Sequence, residues 1–261
     1  MKKTTFFYTS LSLSIIVILF IVLPLFNIII APSLKDILEA LKDKQIINSL
    51  VLSLYSAFAA AIISLLLGTP LAYILARKEF PLKKLIEGII DLPLMIPHPV
   101  IGLAILSIVA KEHFIGKILN KLAIEVIGSV TGIIIVLTYV GLPFYINTVK
   151  TGFKAVPERL EHVSRTLGKT QFQTFIRITL PLTYRSIIEG IIMATARAIS
   201  EFGAVIIIAY HPMIAPVLIY ERFTSYGLKY SAPVSVLLIL ISLFLFVLLR
   251  VISTKKDVSV K

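Results

Sequence analysis

The strongest constraint on this chain is the amount of uninterrupted apolar sequence it carries. A helix needs about 20 consecutive, mainly apolar residues to cross a hydrocarbon layer about 30 Å thick. Six stretches meet that length, over residues 6–31, 47–76, 89–110, 128–149, 186–210 and 231–252. Composition agrees: 57% of residues are hydrophobic and 15% charged, against about 45–50% and about 25% in an ordinary soluble domain. The sequence therefore predicts an all-α, polytopic membrane protein with six transmembrane helices, forming a single domain over residues 1–261. The first stretch follows Lys2 and Lys3 and could suggest a cleaved leader. It exceeds the roughly 7–15 apolar residues of such a leader, and Ala31 is followed by Pro32 rather than a cleavage pattern, so it reads as an anchor. Cysteine is absent, which excludes disulfides, thiolate metal sites and a cysteine nucleophile.

The net charge of +12 would suggest a nucleic-acid partner if it formed one surface patch. Its placement says otherwise. Six spans put both termini on one side, and 17 of the 26 basic residues fall on that side against 8 on the other, with Arg197 inside a span. Basic residues accumulate in cytosolic segments of membrane proteins, so both termini are expected in the cytosol and no nucleic-acid partner is expected.

The connections are short except over residues 150–185, between the fourth and fifth spans. Local signals there predict two short helices with a hinge. Pro157 suits a first helical position, and Glu158 and Glu161 follow near the positive end of the helix dipole. Gly168 can take the left-handed conformation that ends a helix. Thr170 then suits an N-cap, with Gln173 as capping-box partner. Phe172, Phe175 and Ile176 share a face, and Pro181 closes the segment. A docking knob and an ordinary surface loop both fit these signals. The run Leu167-Gly168-Lys169-Thr170 also invites a phosphate-binding reading, but that loop needs a glycine where this chain has Val163. ATP binding by this chain is not expected.

Glu161-His162-Val163, then Gly168, then Ile178-Thr179-Leu180-Pro181 resembles the E-A-A, G, I-x-L-P loop of permease subunits of ABC importers. His162 and Val163 stand where that family commonly has two alanines. Further resemblance lies in Gly68 through Arg77, in Asp91-Leu92-Pro93 with Ile96-Pro97-His98, and in Arg197 through Ala204. These stretches are similar to the sulfate and molybdate/tungstate permeases. Residues 210–216 with Tyr220-Glu221-Arg222 are most similar to the archaeal-type molybdate/tungstate branch. The resemblance implies a type I importer permease fold and a loop that carries a coupling helix for a separate ATPase subunit. It implies that Glu161, Arg165, Thr166, Leu167 and Gly168 make that contact. It also implies a homodimer, two cytosolic ABC ATPase subunits, an external molybdate/tungstate-binding protein and surrounding lipid as partners. No cofactor is expected in this chain, ATP and magnesium being bound by the partner ATPase.

A charge inside a span costs at least about 2.5–3.5 kcal/mol at the helix centre. Arg197 and Glu201 are four residues apart and can neutralise each other from one helical face. A fastening of the fifth span and a place on an oxyanion's pathway are both open to this pair. Pro93, Pro97 and Pro99 interrupt the start of the third span, with His98 between two of them. The carbonyls they free must be buried in protein or face a water-filled cavity. That makes the segment a second candidate wall of the pathway, with His98 either a packing residue or a substrate contact. Gly68-Thr69-Pro70 and Gly141-Leu142-Pro143 mark further breaks or bends. Four tyrosines over residues 210–230 suit a membrane interface. A secondary transporter would show internal repeats, and an intramembrane hydrolase would show H-E-x-x-H or G-x-S-x-G; the chain shows neither.

Overall fold

The computed structural model describes residues 5–254, and every regular element among them is helical. Lys2, Lys3, Lys255, Lys256 and Lys261, which enter the charge distribution above, lie outside the described residues. The chain runs α1 (Thr5–Ile30), α2 (Leu34–Ala40), α3 (Lys44–Arg77), α4 (Lys83–Met95), α5 (His98–Val109), α6 (Phe114–Lys121) and α7 (Val130–Ala155). It continues through α8 (Glu158–Thr166), α9 (Gln171–Thr174), α10 (Leu180–Ile199), α11 (Val205–Ile208), α12 (Ala215–Tyr226) and α13 (Leu228–Thr254). One π turn, Phe175–Thr179, joins α9 to α10.

The bundle is organised around α3, α7 and α10. Between apolar helices in lipid there is little hydrophobic drive, so close packing of small residues does much of the work. α3 buries Ser49, Ser53, Ser56, Ala57, Ala60, Ala61, Ser64 and Gly68 along one face. The hydroxyls of Ser53 and Ser64 donate to the carbonyls one turn back, at 2.8 Å each, so they add no unsatisfied polar group there. Where α7 crosses α10, a Cβ on Gly152 would overlap the Ser186 side chain, and one on Gly190 would come within 2.8 Å of Val149. Farther along, Ile133, Val136, Leu137 and Val140 of α7 join Ile101 of α5, Val205 and Ile208 of α11 and Val234 of α13 in one buried cluster. A second cluster, around Leu75, Tyr145, Ile146 and Phe153, lies toward the end that carries α8.

Two expected spans differ from the structure. Residues 89–110 are not one straight helix: α4 and α5 meet at 113°. Pro97 has no N–H to extend α4, and Ile96 before it is extended at φ −82° and ψ 136°, as a residue preceding proline prefers. The expected fifth span, 186–210, becomes α10 at Leu180–Ile199, shifted toward the N-terminus and ended before Glu201. Among the described residues, four helices are long and apolar enough to cross a membrane, or five if the bent pair is one span. α10 has the length but carries Arg185, Glu189 and Arg197. Through Pro70 and Pro143, α3 and α7 stay helical. α1 exposes its apolar side chains on every side, Leu13, Phe20 and Phe26 among them.

At the end remote from α8, the N-cap Asp43 accepts from the N–H groups of Gln45 and Ile46 and from Arg222 Nη2 at 2.6 Å. Burial raises the Asp43 carboxyl, but the hydrogen bond from Arg222 and those from the helix N-terminus outweigh it and hold it below the usual 3.8. A carboxyl depressed on folding stabilises above its unfolded value and loses that contribution as pH falls through its folded one. The stability of the purified protein in detergent is therefore expected to decline below about pH 4, and Asp43→Asn should flatten that part of the profile. Gly152→Ala is expected to destabilise by about 1–3 kcal/mol through overpacking. Gly88→Ala, with open space around it, should be neutral or stabilise by up to about 1 kcal/mol; unfolding midpoints of the two variants check both.

Candidate functional site

Between α7 and α10 the chain forms a projecting knob. Pro157 is the N-cap of α8 rather than its first helical residue. The helix ends in a Schellman turn: the Gly168 N–H donates to the Arg165 carbonyl at 3.0 Å and the Lys169 N–H to the Ser164 carbonyl at 3.2 Å. Gly168 has φ +82° with open space around it, so its requirement is conformational and not steric. Thr170 caps α9 and forms the capping box with Gln173. Ser164 and Thr174 hydroxyls, 2.9 Å apart and buried, tie the two short helices together. Arg165, Thr166, Leu167 and Gly168 are exposed at the tip, Leu167 at 76%.

Glu161 points the other way. Its Oε1 accepts from Arg77 Nε at 2.8 Å and from Thr179 Oγ1 at 2.9 Å, and its Oε2 accepts from Tyr73 O–H at 3.0 Å. Arg77 also donates through Nη2 to the Val156 carbonyl at 3.0 Å, where α7 ends. The side chains of this pair are 6% and 12% exposed. Within this chain Glu161, expected at a partner contact, turns inward and joins α8 to α3 and to the start of α10. Tyr73 is held by edge-on rings of Phe153 and Phe175 at 5.5 and 5.0 Å. Of the expected shared face, Phe175 packs inward, while Phe172 is exposed. Arg77, Tyr73 and Thr179 escaped the sequence reading as members of this cluster. The one local signal was a basic residue ending an apolar stretch.

A second cluster forms where α10 ends beside the α4–α5 break. Glu201, 1% exposed at its side chain, accepts through Oε2 from Arg197 Nη2 at 2.7 Å and lies 2.7 Å from His98 Nδ1. Its Oε1 accepts from the Ala204 N–H at 2.9 Å. His98 Nδ1 and Arg197 Nη2 both reach the Glu201 Oε2, and Arg197 Nη2 also lies 2.7 Å from His98 Nδ1 and 2.9 Å from Nε2, so the guanidinium sits against the imidazole edge. The structure therefore brings together all three residues singled out from intramembrane charge and proline pattern. His98 is 38% exposed and Arg197 18%, so the edge that carries the guanidinium is more open than the carboxylate. Nearby, Asn147 donates to Asp91 at 2.7 Å and Lys150 to Glu87 at 3.2 Å, fixing α4 to α7.

The family model described as "Binding-protein-dependent transport system inner membrane component" matches residues 68–257. The chain belongs to that family. It is a multi-pass membrane permease component of the ABC importer type. The permease is 44% identical over 236 residues to the molybdate/tungstate transport system permease protein WtpB of Methanocaldococcus jannaschii, covering 90% of this chain and 92% of that one. It is 44% identical over 245 residues to the WtpB of Pyrococcus abyssi, covering 93% and 94%. The sulfate transport system permease protein CysT of Synechocystis is 29% identical over 201 residues, covering 76% and 70%. Among solved structures, the permease shares its fold with a chain of a bacterial alginate ABC transporter in complex with alginate pentasaccharide-bound periplasmic protein. That match has TM-score 0.78 at 14% identity and covers 95% and 93% of the two chains. It also shares its fold with a chain of the MetNI methionine ABC transporter, at TM-score 0.61 and 16% identity, covering 81% and 97%.

Removing one member of a buried ion pair strands the other and typically costs about 3–5 kcal/mol. Glu201→Ala is expected to destabilise the permease by that order, and the double variant Glu201→Ala with Arg197→Ala to recover a large part of it. Unfolding midpoints in detergent, arranged as a double-mutant cycle, measure the coupling.

Proposed function

We propose that this chain is the membrane subunit of an ATP-driven importer of molybdate and tungstate. The observation that carries the reading is the 44% identity, over nine-tenths of the chain, to a permease named for that transport. Six spans are then α1, α3, the broken α4–α5 pair, α7, α10 and α13, with both termini in the cytosol. α10 counts as a span because its deepest charge, Arg197, is neutralised by Glu201. The excess of basic residues on the α8 side supports that orientation. One copy has no second half with which to enclose a route, so the working unit is a symmetric pair.

Two ATPase subunits dock on the two knobs through Arg165, Thr166, Leu167 and Gly168, and ATP with magnesium is held by those subunits. An external binding protein delivers the oxyanion. Closure of the ATPase pair moves the knobs and exchanges an inward-open for an outward-open cavity. Arg197 and His98 line the route, where the guanidinium suits a doubly charged tetrahedral anion. Glu201 offsets part of the guanidinium charge, so that the ion is held weakly enough to leave. Arg197→Ala separates this role from packing: a stable assembly that no longer transports supports the route.

The reading is tested in vesicles containing the permease, its ATPase subunits and the binding protein. Uptake of labelled molybdate and tungstate is expected to require ATP, with sulfate a poor substrate. Uptake without ATP would favour a secondary transporter, and preference for sulfate would move the chain to the sulfate branch. A side-chain-bearing residue in the left-handed conformation costs about 1–2 kcal/mol. Gly168→Val should therefore distort the knob, leaving hydrolysis without uptake; normal uptake by this variant would sink the docking role.

A further inference from the structure

The largely buried Glu161 cluster lies behind the exposed tip, turned toward α3 and the start of α10. Its carboxylate accepts from Arg77 and Tyr73 of α3 and from Thr179 at the last position before α10. Arg77 reaches on to the Val156 carbonyl closing α7. One ion pair thus holds α8 to three long helices. Each of these bonds is directional and at least partly buried, so small rotations about it are resisted more strongly than in an apolar contact. α10 is held at its far end too: Glu201 follows it and binds Arg197, His98 and the Ala204 N–H. A carboxylate therefore fixes each end of this 20-residue helix, about 30 Å long at 1.5 Å per residue.

From this geometry we infer that Arg77 and Glu161 are positioning residues: they form a rigid joint through which displacement of α8 moves α3 and α10 as one body. α10 then carries the motion to the His98–Arg197–Glu201 cluster at the α4–α5 break. The inference rests on the importer reading above and adds the internal element that reading lacks. The exposed tip decides whether an ATPase docks, and the buried joint decides whether docking does work on the membrane helices.

The test uses the complete transporter in vesicles with molybdate-loaded binding protein. Glu161→Gln and Arg77→Lys are expected to keep stimulated ATP hydrolysis while molybdate taken up per ATP falls roughly tenfold. A purely stabilising role would lower hydrolysis and uptake together and leave their ratio unchanged; an unchanged ratio overturns the joint. Absence of ATP-dependent uptake in the unsubstituted transporter would overturn the importer reading instead. A second measurement leaves the joint intact. The chain has no cysteine, so Lys78→Cys with His162→Cys introduces one thiol pair beside the joint, at exposed residues lining a cavity of about 70 Å³. Linking these thiols with a short bifunctional reagent is expected to leave uptake equal to that of the unlinked form, since α3 and α8 move together. Loss of uptake on linking would show that they must move apart and would overturn the inference.

Discussion

A charge removed from water must find its partner within the protein, and this chain meets that demand at two carboxylates. Leaving an ionised group unpaired at the centre of a membrane helix costs at least about 2.5–3.5 kcal/mol. Glu201, 1% exposed, meets the demand with Arg197, His98 and a backbone N–H. Glu161, 12% exposed, meets it with Arg77, Tyr73 and Thr179. Both solutions draw donors from segments far apart in the chain, so satisfying each charge also sets the relative position of several helices. The rest of the bundle is packed by small residues, which let α3, α7 and α10 approach closely but do not by themselves fix rotation or register.

The same constraint explains why the bundle breaks where it does. α10 stops at Ile199, and the chain turns so that Glu201 can fold back onto Arg197 one turn earlier. Across the gap, Pro97 ends α4 and allows His98 to begin α5 at 113° to it. Gly203 lies against His98, where an added Cβ would come within 3.0 Å. Break and cluster are therefore one construction: the α4–α5 turn and the end of α10 bring His98 and Arg197 to the same carboxylate.

Local chemistry was legible in the sequence, and contacts at a distance were not. Thr170 with Gln173, and the left-handed Gly168, follow from rules that act over three or four residues, and the structure has both. The Arg197–Glu201 pair is of the same kind. The end of α10 was missed because apolar sequence continues over residues 204–209, so hydropathy carries on where the helix does not. The inward turn of Glu161 was missed for a different reason. Its partners lie 84, 88 and 18 residues away, and no helical spacing in the loop distinguishes a carboxylate facing α3 from one facing a partner.

The arrangement at the knob reverses the usual order of a protein surface. The ion pair is inside, while Leu160, Val163, Leu167 and Phe172 are exposed, Leu167 at 76% and Phe172 at 73%. Such a surface gains from burial against a complementary groove, each apolar side chain contributing roughly 1.5–3 kcal/mol when fully covered. It gains little from direction, since apolar contact slides. Direction comes from the layer beneath, where Arg77 and Glu161 bind at fixed angles and Gly168 holds α8 to a single exit path. In the importer proposed above, affinity for the ATPase subunit and transfer of its motion fall to different residues. Substitutions at the tip should then weaken binding in proportion to the apolar area removed, whereas those at the joint alter what binding accomplishes without altering how tightly it occurs.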